Sequence, residues 1–317
     1  MGVPYYLAPM AEISHRAFRE LIEDFGSCDA YFSEMISAQA LLAGGHYEKW
    51  YIDAAPKPEK LVFQLVGSDF EAISQAAALL DRLECAGIDI NMGCSAPLIR
   101  KTGAGAAWMA SIDRSGELIA RVRPLVKRRL SVKLRIGYKD DFGYLAQFCR
   151  RLESEGVEMI TLHPRTVTEK FKRLARWEYV GALRQELKIP VSGNGDISSA
   201  EDLVRRAAGP CDAVMTGRAT VRQPWIYASA RRIESGETGQ KKTYNIEEIG
   251  LRFLELLSRY QPPDFHVSRA RRFFGYFCDN LKWGTFLKNQ LNREQTLLEI
   301  EQAWRRYFNE HEEKAQV

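Results

Sequence analysis

Eight short β-type runs, nearly all followed by a helical segment, fill the first 220 residues or so, and no other feature restricts the fold as tightly. The runs are Tyr5 to Pro9, Tyr31 to Met35, Leu61 to Gly67, Ile88 to Met92, Ser131 to Ile136, Met159 to His163, Ile189 to Gly193 and Ala213 to Gly217. Between them lie amphipathic stretches. In "FEAISQAAALLDRLECAG" the apolar residues Ile73, Ala76, Ala77 and Leu80 recur at helical spacing, and "GELIARVRPLVKRR", "YLAQFCRRLESEG" and "AEDLVRRAAG" follow the same pattern. Strands alternating with helices over such a length predict a parallel (β/α)8 TIM barrel. A doubly wound open sheet is the alternative, but it usually carries a Gly-rich fingerprint after its first strand, and "APMAEISHRAF" has none.

From about Tyr244 the strand pattern stops. The remaining residues read as helices interrupted by Pro262 and Pro263. The expected organisation is therefore a barrel over 1–235, a polar linker over 236–243 and a small C-terminal helical domain over 244–317. No run of about 18 uninterrupted apolar residues occurs, and the N-terminus does not read as a signal peptide. No membrane span is expected, and the cytoplasm is the expected location.

In a TIM barrel the chemistry gathers at the C-terminal ends of the strands. Those positions hold Ala8, Pro9 and Met10, then Glu34, Gln64, Asn91 with Cys94, and Lys133 with Arg135. The later strands add His163 with Arg165, Asn194 to Asp196, and Gly217 with Arg218. A lone histidine is more often structural, and Lys133 could simply cap a strand. What points to a site is polar groups from at least six strands meeting at one face. The stretches "SGNGD" and "TGRA" can bring backbone N–H groups near an anion, or can serve only as tight turns. The six cysteines are scattered with no CxxC pair, which argues against zinc, iron–sulfur clusters or a disulfide framework, so no metal is expected. The formal charge of +4 allows a polyanionic partner without requiring one.

Taken together, "APM", "FQLVGSD", "DINMGC…GAGAAWM", "VKLRIG", "LHPRT", "GNGDI" and "MTGRATVRQPWIY" make the chain resemble the dihydrouridine synthases, flavoenzymes that reduce uridine in RNA. The resemblance implies FMN bound by Gln64, Lys133, His163, Asn194, Gly195, Asp196, Gly217 and Arg218, with Ala8, Pro9 and Met10 against its ring. It implies that hydride passes from flavin N5 to uracil C6, that Cys94 protonates C5, and that NADPH is the reductant. A thiol, with a reference pKa of about 8.5, is mostly protonated at neutral pH and can act as that acid. Cys94 could also be a plain thiol lining a loop. Asn91 and Arg165 are expected toward the uracil, and Arg100, Lys101, Arg176, Arg271 and Arg272 toward RNA phosphates. Lys170, Lys172 and Arg173 extend that basic set. Between Arg259 and Arg293 there are seven basic residues against two acidic ones, a patch that suits an RNA partner. The resemblance implies tRNA first as that RNA, and a monomer is expected. Ribosomal RNA as substrate, a small-molecule flavin oxidoreductase, and a non-catalytic RNA-binding homologue remain as alternatives. Two departures from the family pattern fall near the substrate: Ser95 and Ala96 separate Cys94 from Pro97, and His163-Pro164-Arg165 replaces His-Gly-Arg.

Overall fold

The computed structural model describes residues 2–26, 28–169, 172–237 and 242–310. Among them, eight parallel strands close into a barrel in chain order. They are β1 (Tyr5–Leu7), β2 (Ala30–Ser37), β3 (Leu61–Val66), β4 (Gly87–Met92), β5 (Arg129–Gly137), β6 (Met159–Thr166), β7 (Val191–Asn194) and β8 (Ala213–Thr216). Residues Tyr5 to Leu7 of β1 pair with Val214 to Thr216 of β8 and close the ring. The (β/α)8 barrel expected from the alternation is the fold of this chain.

Local chemistry sets the helix boundaries. Asp69 accepts from the Ala72 N–H at 2.8 Å to start helix Phe70–Asp81, and Asp141 accepts from the Tyr144 N–H at 2.9 Å to start Phe142–Ser154. The helix expected to run through "RVRPLVKRR" instead ends at Val122 and continues as a short 3-10 turn, Arg123–Leu125. Pro124 is the cause, because its ring clashes with the preceding turn and it has no N–H to give. β6 runs three residues past the expected end at His163 and takes in Pro164 and Arg165. The ladder with β5 skips register there, between the Arg135–His163 and Gly137–Thr166 pairs, and such an irregularity is where a strand tolerates proline.

Side chains alternate across the barrel wall. Tyr6, Ala8, Phe32, Val62, Met159 and Met215 pack together as one small cluster, while Tyr5, Leu7, Phe63, Leu65, Ile160, Leu162 and Val214 join the large core that includes the surrounding helices. That larger core continues without a break into the C-terminal helices Ile246–Tyr260, Pro263–Phe277, Gly284–Leu291 and Leu297–Glu310. Phe253 stacks on Phe273 at 3.8 Å between ring centres, and Phe273 meets Phe18 of the barrel layer edge-on at 6.2 Å. Gly250 has to be glycine, because a Cβ there would lie 2.5 Å from the Trp304 indole. The expected linker 236–243 includes residues 238–241, which lie outside the described residues, as does Lys170. Just beyond it, Tyr244 stacks on Trp225 of the barrel at 4.4 Å.

Candidate active site

The strand alternation explains why polar groups converge. Along the alternate positions that follow one parity, Val62 leads to Gln64, Asp89 to Asn91, Ser131 to Lys133 and Arg135, Met159 through Thr161 to His163 and Arg165, and Ser192 to Asn194. Ladder register sets Asn91 beside Lys133, and Arg135 beside His163. The polar ends surround a cavity of about 670 Å³.

Ala8, Pro9, Met10, Asn91, Cys94 and Lys133 line this cavity. So do His163, Arg165, Asn194, Gly195, Asp196, Gly217, Arg218 and, from the tail, Arg272. Five other expected site residues lie elsewhere. Gln64 faces the barrel interior, fully buried and bonded to Asp89 and Asn91, without lining the cavity; Arg100 donates to the Ser95 carbonyl at 3.2 Å, and Lys101 is exposed outside the cavity. Arg176 forms a two-pronged pair with Glu169 at 2.9 and 2.6 Å and contacts Asp140 at 3.0 Å. Its hydrogen bonds hold the Glu169 carboxyl down at about 2, so Arg176 serves the loop after β6. Arg271 donates to the Glu294 carbonyl at 2.6 Å inside the tail.

A buried hydrogen-bond chain holds the Cys94 loop. Ser131 donates to one oxygen of Asp89 at 2.6 Å, and Gln64 Nε2 donates to the other at 2.7 Å. Asn91 Nδ2 then donates to Gln64 Oε1 at 2.8 Å. Asn91 Oδ1 accepts from the N–H groups of Gly93 at 3.1 Å and Cys94 at 2.8 Å. The acceptor side of Asn91 is therefore engaged in shaping the thiol loop. Burial pushes Asp89 up to about 6, against the pull of these donors. Cys94 itself is partly open, whereas the other five cysteines are buried.

The cavity is electropositive. Lys133 donates to Asn194 Oδ1 at 3.0 Å, and Asn194 Nδ2 donates to the Met215 carbonyl at 2.8 Å. Burial, together with Arg135, lowers Lys133 to about 8. Arg135 is lowered to about 10 by burial and Arg165, and it donates to the carbonyls of Gly93 and Thr166, each at 3.1 Å. Burial and the cations Lys133, Arg135, Arg165 and Arg218 hold His163 well below the usual imidazole range.

Among the lining residues that the list of site positions left out are two brought in by tertiary packing. Met35 comes from β2, and Tyr276 from helix Pro263–Phe277. The spacing of Arg272 and Tyr276, one helical turn apart, is the sequence signal that could have paired them. The helix is docked on the barrel by ion pairs from Arg269 to Glu34 at 3.0 Å and from Arg272 to Glu12 at 3.4 Å. Glu12 has a left-handed backbone, φ 63°, and its N–H donates to Glu34 at 2.6 Å.

Fold and site thus define a TIM-barrel protein with a cation-rich, partly apolar cavity at the C-terminal ends of its strands, closed on one side by a helical tail. Residues 6–316 match the dihydrouridine synthase (Dus) family, and the chain belongs to that family. A probable tRNA-dihydrouridine synthase of Aquifex aeolicus is 31% identical over 261 residues, covering 80% of this chain and 81% of the relative. Proteins of the same name from Rhodobacter capsulatus and Mycobacterium leprae are 30% identical over 283 residues and 28% identical over 328 residues. The first alignment covers 87% of this chain and 86% of the relative, the second 93% and 85%. Among the described residues no group of His, Cys, Asp and Glu could hold a metal ion, and no helix is long and apolar enough to cross a membrane.

Proposed function

We propose that this protein reduces uridine in RNA to 5,6-dihydrouridine, with FMN bound in the cavity, NADPH as reductant, tRNA as substrate and Cys94 as the acid. The observation that carries the reading is that the one partly open cysteine lines the cavity, on a loop fixed by Asn91.

The residues present suit FMN. A cavity of about 670 Å³ falls within the roughly 300–1,000 Å³ of small-molecule sites. Lys133, Arg135, Arg165 and Arg218 would balance an anionic group, and Ala8, Met10, Met35 and Met215 offer apolar surface to a flat ring. When bound, FMN supplies the hydride, taken from NADPH and delivered to uracil C6. Cys94 gives its proton to C5, so that one hydride and one proton together saturate the C5–C6 double bond. Lys133 stabilises negative charge beside it, and Asn194 holds the ammonium in place.

RNA contact outside the cavity would fall on Lys101 and on the exposed aromatics Trp283 and Phe286, which are 53% and 61% exposed, with Arg272 reaching RNA from the cavity wall. Bases can stack on such rings, and the target base has to leave any helix to reach the cavity. The names of the relatives support tRNA as the RNA class.

The test is nucleoside mass spectrometry of tRNA and ribosomal RNA, fractionated separately, from a strain lacking the gene and from that strain with the gene restored. Loss of dihydrouridine from the tRNA fraction alone, with recovery on restoration, is the expected outcome. Unchanged dihydrouridine in both fractions, with no paralogue to supply it, would overturn the reading. A loss from ribosomal RNA alone would overturn the tRNA assignment. The purified protein is also expected to release FMN on denaturation.

A further inference from the structure

His163, Arg165 and Asp196 form a chain joined by the Arg165 guanidinium. All three nitrogens of the Arg165 guanidinium are engaged: Nε donates to the Arg173 carbonyl at 2.5 Å, Nη2 to Asp196 Oδ1 at 2.5 Å, and Nη1 lies 2.8 Å from His163 Nε2. The second Asp196 oxygen accepts from the Ala175 N–H at 2.6 Å, so the carboxylate is held from two sides. Arg165 is 2% exposed, and its geometry is set by these partners.

Arginine has donors and no acceptor. The contact between Arg165 and His163 therefore needs an unprotonated Nε2. An imidazolium would set one N–H against another, and the surroundings oppose it as well. Lys133 and Arg135 come from β5, Arg165 from β6 and Arg218 from the segment after β8. From the end of β7 comes Asp196, an acid already bound to Arg165. Gly195 closes the same edge of the ring: a Cβ there would lie 3.2 Å from both Cδ2 and Nε2 of His163, and its φ of 122° suits glycine.

We infer that Asp196 and Arg165 are a positioning pair that locks His163 as the neutral ring protonated on Nδ1. A ring so locked carries its one proton as a donor on Nδ1, and it is removed as a proton-carrying acid. Cys94 and Lys133 remain as the cavity's candidates for proton transfer. The inference concerns protonation, which can be read without turnover, so it stands or falls apart from the choice of RNA substrate.

The experiment is ¹⁵N NMR of the protein as purified, labelled at its five histidines, from pH 5.5 to 8, with the His163 signals assigned by their loss in His163→Gln. The expected result is an unprotonated Nε2 and a protonated Nδ1 that do not move across the range. A His163 that titrates within it, or carries its proton on Nε2, overturns the inference. In Arg165→Met the Nε2–H tautomer should appear and a titration should enter the range, with the other four histidines unchanged. Asp196→Asn should give a weaker change of the same kind, and it serves if Arg165→Met does not fold. A His163 signal identical to the parent in a folded variant of either kind would show that the pair is not the lock.

Discussion

Replacing Arg269 by methionine probes the joint between tail and barrel. Arg269 and Glu34 are 2% and 4% exposed with 3.0 Å between their charges, so the substitution leaves a carboxylate in the core whose Oε1 accepts from the Glu12 N–H and whose Oε2 has lost its cation. Breaking a buried pair by removing one partner costs about 3–5 kcal/mol. Methionine fills much of the volume under Phe265, over whose ring the guanidinium sits at 4.7 Å, so most of that cost is electrostatic. Burial already raises the Glu34 pKa, and loss of Arg269 raises it further. An acid whose folded pKa lies above its unfolded value destabilises the fold most at high pH and recovers stability as pH falls through the folded pKa. His15, buried and held neutral by burial, Arg269 and Arg19, changes in the same sense, because losing Arg269 relieves part of its depression. The loss should therefore be larger at pH 8 than at pH 5. Urea unfolding with an unchanged slope reads it from the midpoint. The Glu34→Gln/Arg269→Met double variant should lose less than the sum of the singles, by about 0.5–3 kcal/mol. A loss under about 1 kcal/mol at pH 8, or one independent of pH, would refute the reasoning.

Cys94→Ala should lower uridine reduction by about 10²–10⁴-fold while RNA affinity and unfolding midpoint hold, as single-turnover kinetics and filter binding would report. Lys133 is depressed to about 8 from an ordinary 10.5, so the unfolded chain binds more protons between those values and stability rises with pH across that window. Lys133→Met should flatten that rise by on the order of 1 kcal/mol, since the ammonium keeps some opening to the cavity; urea unfolding at pH 8 and pH 10 reads it. Trp283→Ala should weaken RNA binding by about 1–3 kcal/mol without lowering the unfolding midpoint, because the ring is 53% exposed; titration of labelled tRNA measures the affinity.

Much of the site was legible because it sits on strands. A side-chain period of two carries Lys133 and Arg135, or His163 and Arg165, to the same side of the wall, and the end of each strand could be read from where its apolar run stops. Loops were less legible. Arg176 and Arg100 are basic residues in loops after strands, indistinguishable by type from RNA contacts, yet the fold gives them Glu169, Asp140 and a carbonyl as partners. Gln64 has a strand-end position and a polar side chain, but in the fold its amide is engaged by Asp89 and Asn91 inside the barrel.

The order of strands and helices, the polar ends of the strands and the cysteine among them were all present in the sequence, because propensity, period and proline act over a few residues. Three things depended on tertiary structure: which cations are already paired, the tail's closing of the cavity through Arg269, Arg272 and Tyr276, and the contact that sets Arg165 against His163. Each rests on groups far apart in the chain, such as Glu34 with Arg269 or Arg165 with Asp196. Contact between such groups is set by how the barrel closes and how its core runs on into the tail, which no local pattern encodes.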